Sequence, residues 1–209
     1  MYEKFYSLAE DKQQRIINAG LEVFGQYDYK HASTDLMASK AGISKGLLFY
    51  YFKNKKDFYI FLYNYLIEIM TKLVVDEEFL AITDFFDLLR YSVIKKHDVL
   101  KRNPHIMDFS MRAFYSEKED VSERLKAMTL NYEETAFQKY FARLDTSKFK
   151  EEAGDYFYIY KMLRWMADGY MHDIQMSGHS IDVDTLMDEF DRWMKMIKKL
   201  VYKEEYQDD

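Results

Sequence analysis

Between Tyr29 and Lys56 stand six basic side chains, Lys30, Lys40, Lys45, Lys53, Lys55 and Lys56, and one acid, Asp35. Residues 1–56 carry nine basic against six acidic residues and the remainder 21 against 30, so the net charge of −6 conceals a positive end on a negative chain. Such a segment is an electrostatic footprint for a polyanion, which the rest of the molecule repels. A solvated helix face has the same composition, so spacing has to decide.

Other chemistry is thinly represented. The five histidines (His31, His97, His105, His172, His179) are scattered, without a metal-binding pair, and surface or core positions are their default. There is no cysteine, which removes disulfides, thiol catalysis and thiolate zinc sites. No glycine-rich phosphate loop and no nucleophile elbow occurs. Asp182 to Asp184 and the tail from Glu204 to Asp209 read as a helix start and a solvated end. An enzyme, a cofactor and a metal site are therefore not expected. Residues 1–6 lack the apolar core of a signal peptide, and the most apolar stretch, 58–70, is shorter than the roughly 20 residues of a membrane span. A soluble, cytoplasmic protein with no membrane partner is expected.

One proline and seven glycines leave too little turn punctuation for a β-sandwich or barrel, so the fold class is all-α. Ile17, Leu21 and Phe24 mark one face of a helix over residues 12–27, after which Asp28 is expected to take a left-handed conformation. Ser33 caps a short helix over 34–41 that turns Leu36 or Met37, and Ala41, inward. Gly42 ends it, Ile43 plugs the turn, and Ser44 caps a third helix over 45–51. Two short capped helices joined at a glycine form a helix-turn-helix. Asn54 caps a long helix from 55 to about 74. Further helices are predicted over 78–101, over 104–115, from a capping box at 116–119 to about 144, over 150–177 and over 183–203, about nine in all.

In the third helix Leu48, Phe52 and the neighbouring Ile43 are expected inside, leaving Lys45, Gly46, Leu47, Phe49 and Tyr50 outward. Gly46 permits close backbone approach, Lys45 reaches a phosphate or a guanine edge, and Leu47 and Phe49 suit thymine methyls. Tyr50 and Tyr51 cannot both be core, because the helix is too short to bury every face. The run Ala41-Gly42-Ile43-Ser44-Lys45-Gly46-Leu47-Leu48-Phe49-Tyr50-Tyr51-Phe52-Lys53-Asn54-Lys55-Lys56-Asp57 resembles the N-terminal signature of TetR/AcrR-type transcriptional regulators, over roughly residues 10–60. The resemblance implies that Tyr51 and Lys55 clamp phosphates and that Ser33 and Thr34 touch the other side of the groove. Leu47, Leu48 and Phe49 replace a commoner Thr-Leu-Tyr, so base readout should lean on Lys45 and apolar contacts. Asp28 stands where a glycine is common.

The last two predicted helices carry stripes at alternating spacings of four and three: Tyr156, Tyr160, Leu163, Ala167, Tyr170 and Ile174, then Leu186, Phe190, Trp193, Ile197 and Leu200. This is the seam of a helical bundle. A hairpin within one chain satisfies it, and two chains make a four-helix bundle. Further apolar side chains on the same helices favour the dimer, and two-fold symmetry would set two reading helices on adjacent major grooves. Methionine and aromatic residues suit adaptable apolar cavities. Phe86, Met107, Met111, Phe137, Met162, Trp165 and Met166 lie on the helices that, by the resemblance, surround an inducer cavity, although each also fits an ordinary core.

The expected organisation is a helix-turn-helix DNA-binding domain over residues 1–54, followed by a larger helical ligand-binding and dimerisation domain over 55–209. The expected protein is a homodimeric repressor on a palindromic or pseudo-palindromic double-stranded DNA operator, released by a small lipophilic or aromatic inducer. The rival is an all-α protein-interaction or lipid-carrier module without DNA binding.

Overall fold

The computed structural model describes residues 2–115, 121–179 and 181–207. Among them run eleven α-helices: α1 (Glu3–Tyr6), α2 (Glu10–Gln26), α3 (Thr34–Ala41), α4 (Lys45–Phe52), α5 (Lys55–Val74), α6 (Glu77–Ala81), α7 (Phe85–Arg102), α8 (Pro104–Tyr115), α9 (Ser122–Phe141), α10 (Tyr156–Met176) and α11 (Val183–Val201). Two single 3₁₀ turns and one isolated antiparallel bridge, Phe149 to Tyr202, complete the described structure. The all-α class stands, with two helices more than the nine read from periodicity. The capping box at 116–119 and the turn residue Ser180 lie outside the described residues.

Both additional helices have local causes. A four-residue helix shows no periodicity, and α1 exists because Phe5 is fully buried among other rings. The helix expected over 78–101 is two helices, because Asp84 interrupts it. Its carboxylate accepts the Phe86 and Asp87 amides at 2.9 and 3.1 Å, starting α7 afresh. Asp76 caps α6 in the same manner through the Phe79 amide. The carbonyls at the far end of α6 are met by Arg143, which donates to Phe79, Leu80 and Ile82. The helix expected over 150–177 likewise begins only at Tyr156, since Gly154 takes a positive φ of 72° and Asp155 supplies the cap.

The described chain divides into two compact units, Met1–Lys72 with Arg102–Glu133, and Leu73–Lys101 with Glu134–Asp209. In the first, α2 and α5 approach until a Cβ at Gly20 would lie 2.6 Å from the Phe58 ring, so only glycine fits there. Phe24, Phe58, Tyr59 and Phe109 fill the space beside this crossing, with Phe24 and Tyr59 edge to face at 4.7 Å.

The core of the second unit joins Phe85, Leu88 and Leu89 of α7 to Ile159 and Leu163 of α10, Met194 and Ile197 of α11, and Tyr202. Its buried polar centre is Asp84, whose second oxygen accepts Lys148 Nζ at 2.8 Å and the Tyr202 hydroxyl at 3.1 Å. Burial pushes this carboxyl up, but the bonds from Lys148, the Asp87 amide and Tyr202 outweigh it and leave it below its ordinary 3.8. A carboxyl held below its unfolded value contributes stability that is complete above 3.8 and is lost as pH falls through the folded value. Asp84→Ala is expected to cost about 2–3 kcal/mol at neutral pH. It should also flatten the acid limb of melting temperature against pH; an acid limb as steep as in the unsubstituted protein would show that other carboxylates govern it.

Candidate nucleic-acid interface

Three local devices shape the segment from Ser33 to Asp57. Ser33 Oγ accepts the Leu36 amide at 3.3 Å and Ser44 Oγ accepts the Leu47 amide at 3.2 Å, so both expected caps are in place. Gly42 turns the chain in the left-handed region at φ 68°, where a side chain is disfavoured. Asn54 Oδ1 accepts the Asp57 amide at 2.8 Å and opens α5. Asp28 is not left-handed as expected. Its carboxylate instead accepts the His31 amide and pairs with the His31 ring, which holds the carboxyl below its usual range. The positive φ falls on Lys53, at 56°, between α4 and α5.

The helix α4 is eight residues long and divides cleanly into two faces. Leu48, Tyr51 and Phe52 point inward; Phe52 lies 5.0 Å from Phe5, 4.5 Å from Phe58 and 4.8 Å from Phe61 between ring centres. Lys45, Gly46 and Tyr50 point outward, Tyr50 with 57% of its surface exposed, and Leu47 and Phe49 are half-buried. Of the two tyrosines, Tyr51 is therefore the core residue. Only 9% of it is exposed and its ring meets Phe5, so the phosphate role implied for it is narrowed to whatever its edge can reach. Ser33 is exposed and Thr34 half-buried at the start of α3.

Several of the basic side chains already have partners. Lys45 Nζ sits 2.7 Å from Asp35 on α3. Lys55 Nζ donates to the Lys30 carbonyl at 3.2 Å and lies over the Tyr29 ring. Lys40 pairs with Glu22 at 3.0 Å. Lys4 of α1, which periodicity missed, rests 4.1 Å above the Tyr50 ring and so touches the outward face of α4. A lysine three residues from the chain start gave no signal of this, since α1 is placed by Phe5 and not by any pattern of its own.

The residues expected to line a cavity fall into different surroundings. Met107 and Met111 are buried in the first unit, while Phe86 is core in the second, edge to face with Tyr202. Phe137 stacks on Phe141 and Tyr156, and Met162 packs against the same core. Met166 is half-buried. Trp165 is 48% exposed and lies edge to face with Tyr158. Two described clefts have other linings. One, of about 400 Å³, lies in the first unit between Arg15, Asn18, Glu22, Lys40, Asn103 and His105. The other, of about 460 Å³, lies in the second unit near Tyr170, Ile174, His179 and Asp182.

Much of the expected dimer seam also turns inward. Leu163 and Ile197 are buried, and Tyr156, Tyr160, Phe190 and Trp193 pack on the core of their own unit, where Tyr170 meets Trp193 edge to face. The hairpin of α10 and α11 accounts for part of the alternation of four and three. Ala167, Ile174 and Leu186 are half-buried and Leu200 is exposed. Outward from the hairpin stand Tyr158, Trp165, Met196 and Leu200. Among the described residues no three His, Cys, Asp or Glu side chains come together as a metal site, and no helix is long and apolar enough to cross a membrane.

Residues 16–60 match the family model for bacterial regulatory proteins of the tetR family. The HTH-type transcriptional regulator SrpR of Pseudomonas putida is 40% identical over 57 residues, which are 27% of this chain and 27% of that protein. The match thus spans about a quarter of that curated relative. Two solved structures are similar over nearly the whole chain. SmeT, the repressor of the Stenotrophomonas maltophilia multidrug efflux pump SmeDEF, superposes with a TM-score of 0.63 at 16% identity, covering 93% of this chain and 94% of that one. The regulator FadR of Bacillus subtilis, in complex with stearoyl-CoA, superposes with a TM-score of 0.61 at 16% identity, covering 88% and 96%. The chain thus carries a tetR-type segment over residues 16–60 and has a fold similar to those of SmeT and FadR.

Proposed function

We propose that the chain is a homodimeric transcriptional repressor that holds a two-fold symmetric DNA operator and lets go when a lipophilic or aromatic inducer binds. Residues 1–54 carry the DNA-binding role in this reading and 55–209 the ligand and dimer roles. The observation that carries it is the outward face of α4, where Lys45, Gly46 and Tyr50 stand exposed beside half-buried Leu47 and Phe49, on a helix fixed from behind by Phe52. Ser33, Thr34 and Ser44 stand at the starts of α3 and α4, and Lys55 at the start of α5, where helix N-termini favour an anion. Tyr51 contributes by its edge. The inducer class is supported by the stearoyl-CoA bound to the FadR relative and by the efflux-pump repressor SmeT, and by the supply of methionine and aromatic side chains.

Two results test this reading. Lys55→Ala should weaken binding to every duplex alike and lower the magnitude of the salt slope by about one phosphate contact. A slope equal to that of the unsubstituted protein, with melting unchanged, would remove Lys55 from the interface. The dimer is assigned to the outward residues of α10 and α11, because exposed apolar side chains grouped on packed helices mark a partner surface. Trp165→Glu should give a folded monomer by light scattering, and a dimer that persists with the charge in place would put the contact elsewhere.

A further inference from the structure

Asp35 is the one carboxylate between Tyr29 and Lys56. It lies in the first turn of α3 and faces Lys45, the first residue of α4, with 2.7 Å between Oδ2 and Nζ. Both side chains remain in water, 70% exposed for Asp35 and 47% for Lys45. An ion pair so exposed adds little to folding, so the pair is not explained by stability. A carboxylate on a face that meets phosphates also opposes binding to DNA of any sequence. Asp35 is therefore costly to general affinity. Its return to the fold is the modest one of an acid in the first turn of α3, so a role in selection accounts for it better than stability does.

Resting on the DNA-binding reading proposed above, we infer that Asp35 is a specificity-determining residue, acting jointly with Lys45. The two helices present an ammonium and a carboxylate side by side at their N-terminal ends. A lysine donates to guanine O6 and N7, and a carboxylate accepts from the cytosine N4 amino group. Together the two groups fit the two edges of one G·C pair in the major groove. The pairing also keeps Lys45 from swinging to the nearest phosphate, where it would add affinity without discrimination. Tied to Asp35, the ammonium is delivered to a base edge. On a mismatched pair the carboxylate finds no donor and is left beside the phosphates unpaired, which penalises the wrong sequence.

The test uses the full-length protein with duplexes of random sequence, and selection from a duplex pool with a randomised centre. Asp35→Asn keeps the size and removes the charge. It should tighten binding to the random duplex by about three- to ten-fold and raise the magnitude of the salt slope by about one. The unsubstituted protein should enrich a G·C pair at symmetric positions, and Asp35→Asn should lose that preference by about ten-fold. In a Lys45→Ala background the same Asp35→Asn change should no longer alter the preference, because the two groups act as one. Melting by circular dichroism should be nearly the same for all variants. Unsubstituted protein that binds DNA, with Asp35→Asn matching it in slope and selected sequence, would overturn this inference and leave the DNA-binding reading standing. A preference shift that persists in the Lys45→Ala background would overturn the joint action, and an unsubstituted protein that binds no duplex would overturn the underlying reading itself.

Discussion

Phe52 holds the outward face of α4 in position. An isolated helix of eight residues is not stable in water, because nucleation costs more than so few hydrogen bonds return. What keeps α4 helical is the ring at its last position, fully buried between Phe5, Phe58 and Phe61. Leu48, one turn earlier, is buried with it. With these two fixed, the helical repeat leaves Lys45, Gly46 and Tyr50 no direction but outward. The same ring explains why α1 exists at all, since Phe5 is placed by the cluster and brings Lys4 over Tyr50. The exposed groups of the candidate interface are thus positioned by aromatic packing behind them.

How much of this was legible depended on the distance over which each feature is decided. The helix-turn-helix was legible because its causes are local: Ser33, Gly42, Ser44 and Asn54 each act on residues within about one helical turn. The break between α6 and α7 was not, although Asp84 caps by the same local rule. Its carboxylate is kept there by Lys148 and Tyr202, which arrive from far along the chain. The stripes on α10 and α11 left open what covers them, because periodicity gives a helix's buried side and never what buries it. Leu163 and Ile197 went to the chain's own core. Trp165 lies off the stripe, so periodicity did not assign its surroundings, and the choice between a cavity wall and packed core rested on residue type alone.

Electrostatics adds a second layer to the interface. Without DNA, Lys45 rests on Asp35, Lys40 on Glu22, Lys55 on the Lys30 carbonyl and Lys4 on the Tyr50 ring. Exposed contacts of this kind are worth about 1 kcal/mol or less each. They nevertheless restrict long side chains that would otherwise sample many rotamers, so part of the ordering cost of meeting a polyanion is met in advance. The contacts of Lys40, Lys55 and Lys4 can be exchanged for a phosphate without breaking the fold, because the fold is held by Phe52 and its neighbours.

The remainder of the chain carries a net negative charge. With 21 basic against 30 acidic residues beyond Lys56, it repels a nucleic acid that the first 56 residues attract. Repulsion of this kind is screened beyond a Debye length of about 8 Å at physiological salt, so it steers approach and adds little once contact is made. The consequence is an asymmetry in what each charge controls. Acids far from α3 and α4 affect how a duplex arrives, whereas an acid on the reading face is inside the screening distance throughout. Asp35 is the acid that shares this position with Lys45. On the DNA-binding reading proposed above, a duplex bound there would feel its charge at full strength. A carboxylate in that place is either matched by a donor on the DNA or left to oppose the complex.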